Sequence, residues 1–111
     1  MKTAKEYYKE WESNINELSN KEIAYWKWKE CYAVKEQEIL ETTDFKELYG
    51  ANNDKIRRNH IKNELKDWYT IIKDLEISIQ YLERRISFLK SLLHHNTVYG
   101  GIINADIQTQ E

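Results

Sequence analysis

Two pairs of acidic residues are the best placed in this chain to do chemistry, because each pair has helical spacing. Glu38 and Glu41 form a Glu-x-x-Glu element, and Glu64 with Asp67 forms a Glu-x-x-Asp element. Acids three positions apart share one face of a helix, and carboxylates that face one another could hold Mg²⁺ against a triphosphate. Because the chain has 19 acids in 111 residues, such spacings also arise by chance. The favoured prediction is therefore a protein without catalytic activity, metal or other cofactor.

The same four positions resemble the metal-binding pattern of the all-α nucleoside triphosphate pyrophosphohydrolases of the MazG type. The chain departs from that pattern at Gln37, because the family has a doubled Glu at the start of the first element. The resemblance implies Mg²⁺-dependent release of pyrophosphate. We keep this activity as an alternative hypothesis.

Cations gather where a second long helix is predicted to begin, and they are candidates for binding a partner. Positive charge in the first two turns opposes the helix dipole, so this placement indicates contact with phosphate or an acidic protein. The favoured interpretation is nevertheless a solvated face that pairs with Glu36, Glu38 and Glu41, with partner contact as the alternative. Two further cations lie about 40 Å along the helix, a distance compatible with a long polymer rather than a small ligand. The candidate cations are Lys55, Arg57, Arg58, Lys62, Arg84 and Arg85.

Aromatic residues alternate with lysines in the first half of the chain, a combination that can stack bases while neutralising phosphates. Trp26 and Trp28 lie about 200° apart around a helix, so they cannot form one stacking platform. The favoured interpretation places Tyr25, Trp28 and Tyr32 against the second helix. It leaves Trp26 as a rigid anchor for a partner. The candidate contacts from this segment are Trp26, Lys27 and Lys29.

A heptad seam predicts the second long helix, over residues 54–95. Ten apolar residues in 4,3 alternation form a stripe that must be buried on another helix. Ile77, Tyr81 and Phe88 add a second apolar face, which favours a bundle with antiparallel neighbours. The seam consists of Ile61, Leu65, Trp68, Ile72, Leu75, Ile79, Leu82, Ile86, Leu89 and Leu93.

The whole chain is predicted to be all-α, because no Pro and only three Gly interrupt it. A first helix is expected over residues 4–41, followed by a short helix over 44–49 that Asp44 caps and Gly50 ends. Residues 1–95 then form a long, coiled-coil-like antiparallel helical hairpin. Because two helices bury little core, the hairpin is expected to assemble into a homodimeric helical bundle. Residues 96–111 are expected to form a flexible or irregular tail.

Composition excludes several classes of protein. The net charge of −2 argues against coating nucleic acid or an anionic membrane by bulk electrostatics. The single cysteine, Cys31, excludes an internal disulfide. There is no run of 18 apolar residues and no signal-peptide pattern at the start. A cytoplasmic protein that does not bind membranes is expected.

Residues 44–92 contain the runs Asp-Phe-Lys-Glu-Leu-Tyr-Gly, Asn-Asn-Asp-Lys-Ile-Arg-Arg and Leu-Glu-Ile-Ser-Ile-Gln-Tyr-Leu-Glu-Arg-Arg-Ile. They resemble small helical proteins from temperate phages of low-GC Gram-positive bacteria. The resemblance implies an accessory role, in an infected host, in phage DNA metabolism or against a host defence or replication protein. The favoured hypothesis is accordingly a non-enzymatic homo-oligomer that binds a host or phage protein. A DNA-binding dimer is the alternative.

Overall fold

The computed structural model describes residues 2–99, and within them the chain is helical with no β-strand. The helices are α1 (Ala4–Thr42), α2 (Phe45–Tyr49), α3 (Asp54–Glu64) and α4 (Lys66–Tyr99). The all-α prediction is therefore confirmed. None of these helices has an apolar stretch that could span a bilayer. Of the tail predicted over residues 96–111, the first four residues continue α4, and the others lie outside the described residues.

Two compact units divide the chain, and each contains parts of α1 and α4. Unit 1 comprises the described residues 2–22 and 77–99. Its core contains Ala4, Leu82 and Leu89, all buried. Arg85 of α4 bonds to Glu10 of α1, so the start of α1 packs against the later part of α4.

Unit 2 comprises residues 23–76 and contains the rest of α1, with α2, α3 and the start of α4. The indole rings of Trp28 and Trp68 meet edge to face at 5.7 Å between centroids. The Tyr25 hydroxyl donates to Glu76 Oε1 at 3.0 Å. Because Trp28 follows Tyr25 while Trp68 precedes Glu76, α1 and α4 run antiparallel here, as the predicted hairpin requires. The buried side chains of this unit are Phe45, Ile61, Leu65 and Ile72.

Side-chain caps fix the short connection between α1 and α3. The Asp44 carboxylate accepts from the Glu47 backbone N–H at 3.1 Å, which starts α2. Gly50 ends α2 with φ of 75°, a left-handed conformation that a glycine adopts without steric cost. The Asn53 side chain accepts from the Ile56 N–H at 3.0 Å, which starts α3.

The single helix predicted over residues 54–95 is two helices, because the backbone bends at Leu65. This residue has φ of −107° and ψ of 24°, outside the α region. The bonds on either side are kept, since the Leu65 N–H donates to Ile61 and the Leu65 carbonyl accepts from Tyr69. The Leu65 side chain is only 3% exposed. The bend thus accompanies close packing of Leu65, without a Pro or Gly to cause it.

The chain itself covers the heptad seam, in each unit separately. None of the ten seam residues is exposed. Assembly of two chains through this seam stays a prediction. Packing within one chain already buries half of the seam residues and half-buries the others. The buried members are Ile61, Leu65, Ile72, Leu82 and Leu89, and the half-buried members are Trp68, Leu75, Ile79, Ile86 and Leu93.

Candidate functional site

The four acids of the metal-site hypothesis do not converge. Glu38 pairs with Lys35 at 3.2 Å and lines an open cavity beside Trp68. Glu41 accepts from Gln37 at 3.0 Å. Glu64 lines a different cavity, and Asp67 is exposed. Within residues 2–99, no group of three or more His, Cys, Asp or Glu side chains could hold a metal ion. This geometry does not support the MazG-type site, because such a site needs the carboxylates on one ion.

Arg57, predicted as a partner contact, is used to hold the start of α3. Its Nη1 donates to Asn52 Oδ1 at 2.7 Å and to the Asn52 carbonyl at 3.2 Å, and its Nη2 pairs with Asp54. These bonds tie the loop before α3 to its first turn. Arg57 is therefore less available to a partner than its charge suggests.

The other cations of α3 remain exposed. Lys55, Arg58 and Lys62 follow one another at intervals of three and four residues, so they share one helical face. Among the residues that the structure describes, their side chains form one bond, from Arg58 Nε to the Asp54 carbonyl at 3.3 Å. Lys66 is not among the predicted partner contacts. It continues the same spacing at the start of α4 and is exposed.

Arg85, also predicted as a partner contact, belongs to an ion-pair cluster in unit 1 that is centred on Glu10. Its Nε and Nη2 each lie 2.8 Å from Glu10 Oε1, and Lys2 Nζ lies 2.9 Å from Glu10 Oε2. The hydrogen bond from Arg85 is the main cause that lowers the pKa of Glu10 to about 2, and the one from Lys2 adds to it. The guanidinium also lies 5.3 Å from the Phe88 ring centroid. Arg84, by contrast, is exposed.

A second polar cluster joins α1 to α4 in unit 2. Glu76 Oε1 accepts a hydrogen bond from the Tyr25 hydroxyl, and Glu76 Oε2 lies 3.2 Å from Lys73 Nζ. The bond from Lys73, and then the bond from Tyr25, lower the pKa of Glu76. Burial, followed by the charge of Glu36, raises the pKa of the Tyr32 hydroxyl. These groups strengthen the packing that the aromatic pattern predicts.

Trp26 points away from the packed side of α1, as predicted. It is 65% exposed, while Tyr25 beside it is half-buried and meets it edge on at 5.4 Å. Lys27 is exposed, and Lys29 lies over the Tyr25 ring at 5.6 Å from its centroid. The Trp26 indole ring is therefore exposed to solvent, and the neighbouring Tyr25 ring meets it edge on and does not extend it into a flat surface for stacking.

The second apolar face of α4 lies open in unit 1. Ile77, Tyr81 and Phe88 are 58%, 65% and 55% exposed. Their spacing of four and seven residues aligns them on one face, with Arg84 between them. An open groove of about 410 Å³ borders Ile77 and Tyr81 and also contains Glu10. The three side chains form an exposed apolar row on this face of α4.

Comparison with models of protein families, with curated proteins and with solved structures finds no match to this chain. The fold and the surfaces described above are thus the basis for a functional proposal.

Proposed function

We propose that this protein is a non-catalytic binding protein that associates with a second copy of itself through the outer face of α4. The observation that carries the proposal is the exposed row of Ile77, Tyr81 and Phe88. Single apolar residues are common on protein surfaces, but three on one helical face are costly to leave in water.

A second copy is the occupant that fits this face, because the face complements itself. In a two-fold arrangement, residue i contacts residue j and j contacts i. Antiparallel pairing of two α4 helices about a point between Leu82 and Glu83 sets Ile77 against Phe88 of the other copy. The same register sets Tyr81 against Arg84. An arginine over a tyrosine ring is an attractive contact, and Arg84 has no ion pair with any of residues 2–99.

The test is sedimentation velocity over a dilution series from about 200 μM to about 1 μM. We expect a dimer that dissociates on dilution. Ile77→Asp should be monomeric throughout, because it places a charge in the apolar contact. Ser13→Asp, an exposed site on α1, introduces the same charge and should behave like the wild type. A wild-type chain that stays monomeric at the highest concentration would refute self-association.

We propose that Trp26 anchors a second kind of partner, a different protein. An exposed tryptophan supplies a large contact area with little loss of side-chain entropy, and such residues dominate binding energies at interfaces. A host or phage protein of DNA metabolism or defence is the class of partner that the resemblance of residues 44–92 implies. A role in an infected bacterial cytoplasm is part of the same proposal.

A further inference from the structure

We propose that one face of α3 and the start of α4 binds the phosphate backbone of double-stranded nucleic acid. The face is formed by Lys55, Arg58, Lys62 and Lys66, here called the basic stripe. All four side chains are exposed, and none of them forms an ion pair within residues 2–99. Intervals of three and four residues keep Lys55, Arg58 and Lys62 on one face of α3. Lys66 continues this spacing at the start of α4, just after the bend, where Leu65 keeps its backbone bonds to Ile61 and Tyr69.

No acid interrupts the basic stripe. Asn59 shares its face and adds a neutral hydrogen-bond donor, while Glu64 lies on the opposite side of the helix, where it lines a cavity with Ile39. Asp54, the nearest acid at the helix start, is engaged by Arg57. The positive charge therefore faces solvent without local compensation.

The fold does not account for these cations. Lys55 and Arg58 lie in the first two turns of α3, where the helix dipole disfavours positive charge. Arg57, by contrast, has a structural role at the start of α3, because it is bonded to Asn52 and Asp54. Within residues 2–99 no stripe residue has such an ion pair, and Arg58 bonds only a backbone carbonyl, that of Asp54. This leaves the charges of the stripe for an external anion to compensate.

The length and chemistry of the stripe fit one strand of a duplex. The eleven steps from Lys55 to Lys66 extend about 16 Å at the helical rise, and one strand of a duplex presents a phosphate about every 3.4 Å along its axis. Bases need an aromatic platform for stacking, and no aromatic residue lies between Lys55 and Lys66 on this face. A membrane surface fits less well, because Ile61 and Leu65, the apolar side of the same helix, are buried in unit 2.

The experiment is fluorescence anisotropy of the full chain with a labelled 20-base-pair DNA duplex of arbitrary sequence. Four phosphate contacts predict a slope of log K against log[salt] of about −3.6, and so about a 100-fold loss of affinity between 50 and 200 mM salt. Lys62→Ala/Lys66→Ala should weaken binding and reduce the size of the slope by about 1.8. Lys62→Arg/Lys66→Arg should keep the wild-type affinity and the wild-type slope.

The control is Lys9→Ala/Lys90→Ala, which removes the same charge from exposed positions in unit 1. It should retain the wild-type slope. The proposal is overturned by no binding at 50 mM salt, by binding insensitive to salt, or by an equal loss in this control. It is also overturned if the single strand binds more tightly than the duplex, or if polyglutamate of equal charge competes as well as unlabelled duplex. The last result would identify an acidic protein as the partner.

Discussion

At the scale of single residues, the cations divide into those that hold the fold and those that face solvent. Arg57 and Arg85 belong to the first group, although the sequence places them beside Arg58 and Arg84 of the second. Their type and local spacing could be read from the sequence. The sequence does not tell which cations hold the fold and which face solvent. The partner of Arg85 is Glu10, 75 positions away, and only the packed fold brings the two together.

Glu10→Gln should lower the thermal midpoint of unfolding at pH 7, because it removes the carboxylate that Arg85 and Lys2 share. The folded pKa of Glu10, about 2, lies below the unfolded value of about 4.3. The pair therefore stabilises the fold fully above pH 5, and this contribution is lost as the pH falls towards 2. Differential scanning calorimetry of both proteins from pH 7 to pH 2 should show their midpoints converging in acid.

The matched control for this experiment is Glu12→Gln, an exposed acid two residues along α1. It should leave the midpoint at pH 7 close to that of the wild type. A Glu10→Gln deficit that persists unchanged at pH 2 would contradict the assigned cause.

At the scale of the helices, the sequence predicts the capped ends better than the continuity, because three helices are expected and the structure has four. Asp44, Gly50 and Asn53 mark the boundaries of α2 and the start of α3, because their capping chemistry is local. The bend at Leu65 carries no such mark. Leucine favours helices, and the dihedral change occurs where this side chain is packed in unit 2, so only the tertiary structure reveals it.

Ile79→Asp tests the burial of the seam on α4. Ile79 is half-buried, and an aspartate there would leave an unpaired charge in the packed side of the helix. We expect the free energy of unfolding to fall by about 3 kcal/mol, as measured by urea denaturation. The neighbouring exposed Gln80→Asp should change it by less than about 0.5 kcal/mol. Equal stability of the two variants would show that the seam is not packed.

At the scale of the whole molecule, the apolar residues of α4 fall into two rows. Packing within the chain buries or half-buries the heptad seam, whereas Ile77, Tyr81 and Phe88 are exposed. The sequence revealed both rows through their spacing. It could not tell which row is covered by the chain itself, because that depends on how α1 packs against α4 in each unit.

Self-association should make the thermal stability depend on concentration. A partner that binds only the folded state raises the melting temperature by mass action. We expect the midpoint to rise between about 2 and 200 μM for the wild type and to stay constant for Ile77→Asp. Scanning fluorimetry across this range measures both. Identical concentration dependence in the two proteins would exclude the outer face of α4 as the interface.

The crossing of Trp28 and Trp68 has a spectroscopic consequence. Two indoles held edge to face at 5.7 Å are close enough for their electronic transitions to couple, so we expect this pair to contribute a circular dichroism signal that two separated indoles lack. Because Trp28 belongs to α1 and Trp68 to α4, loss of this signal on unfolding would report the separation of the two helices in unit 2, without an attached dye.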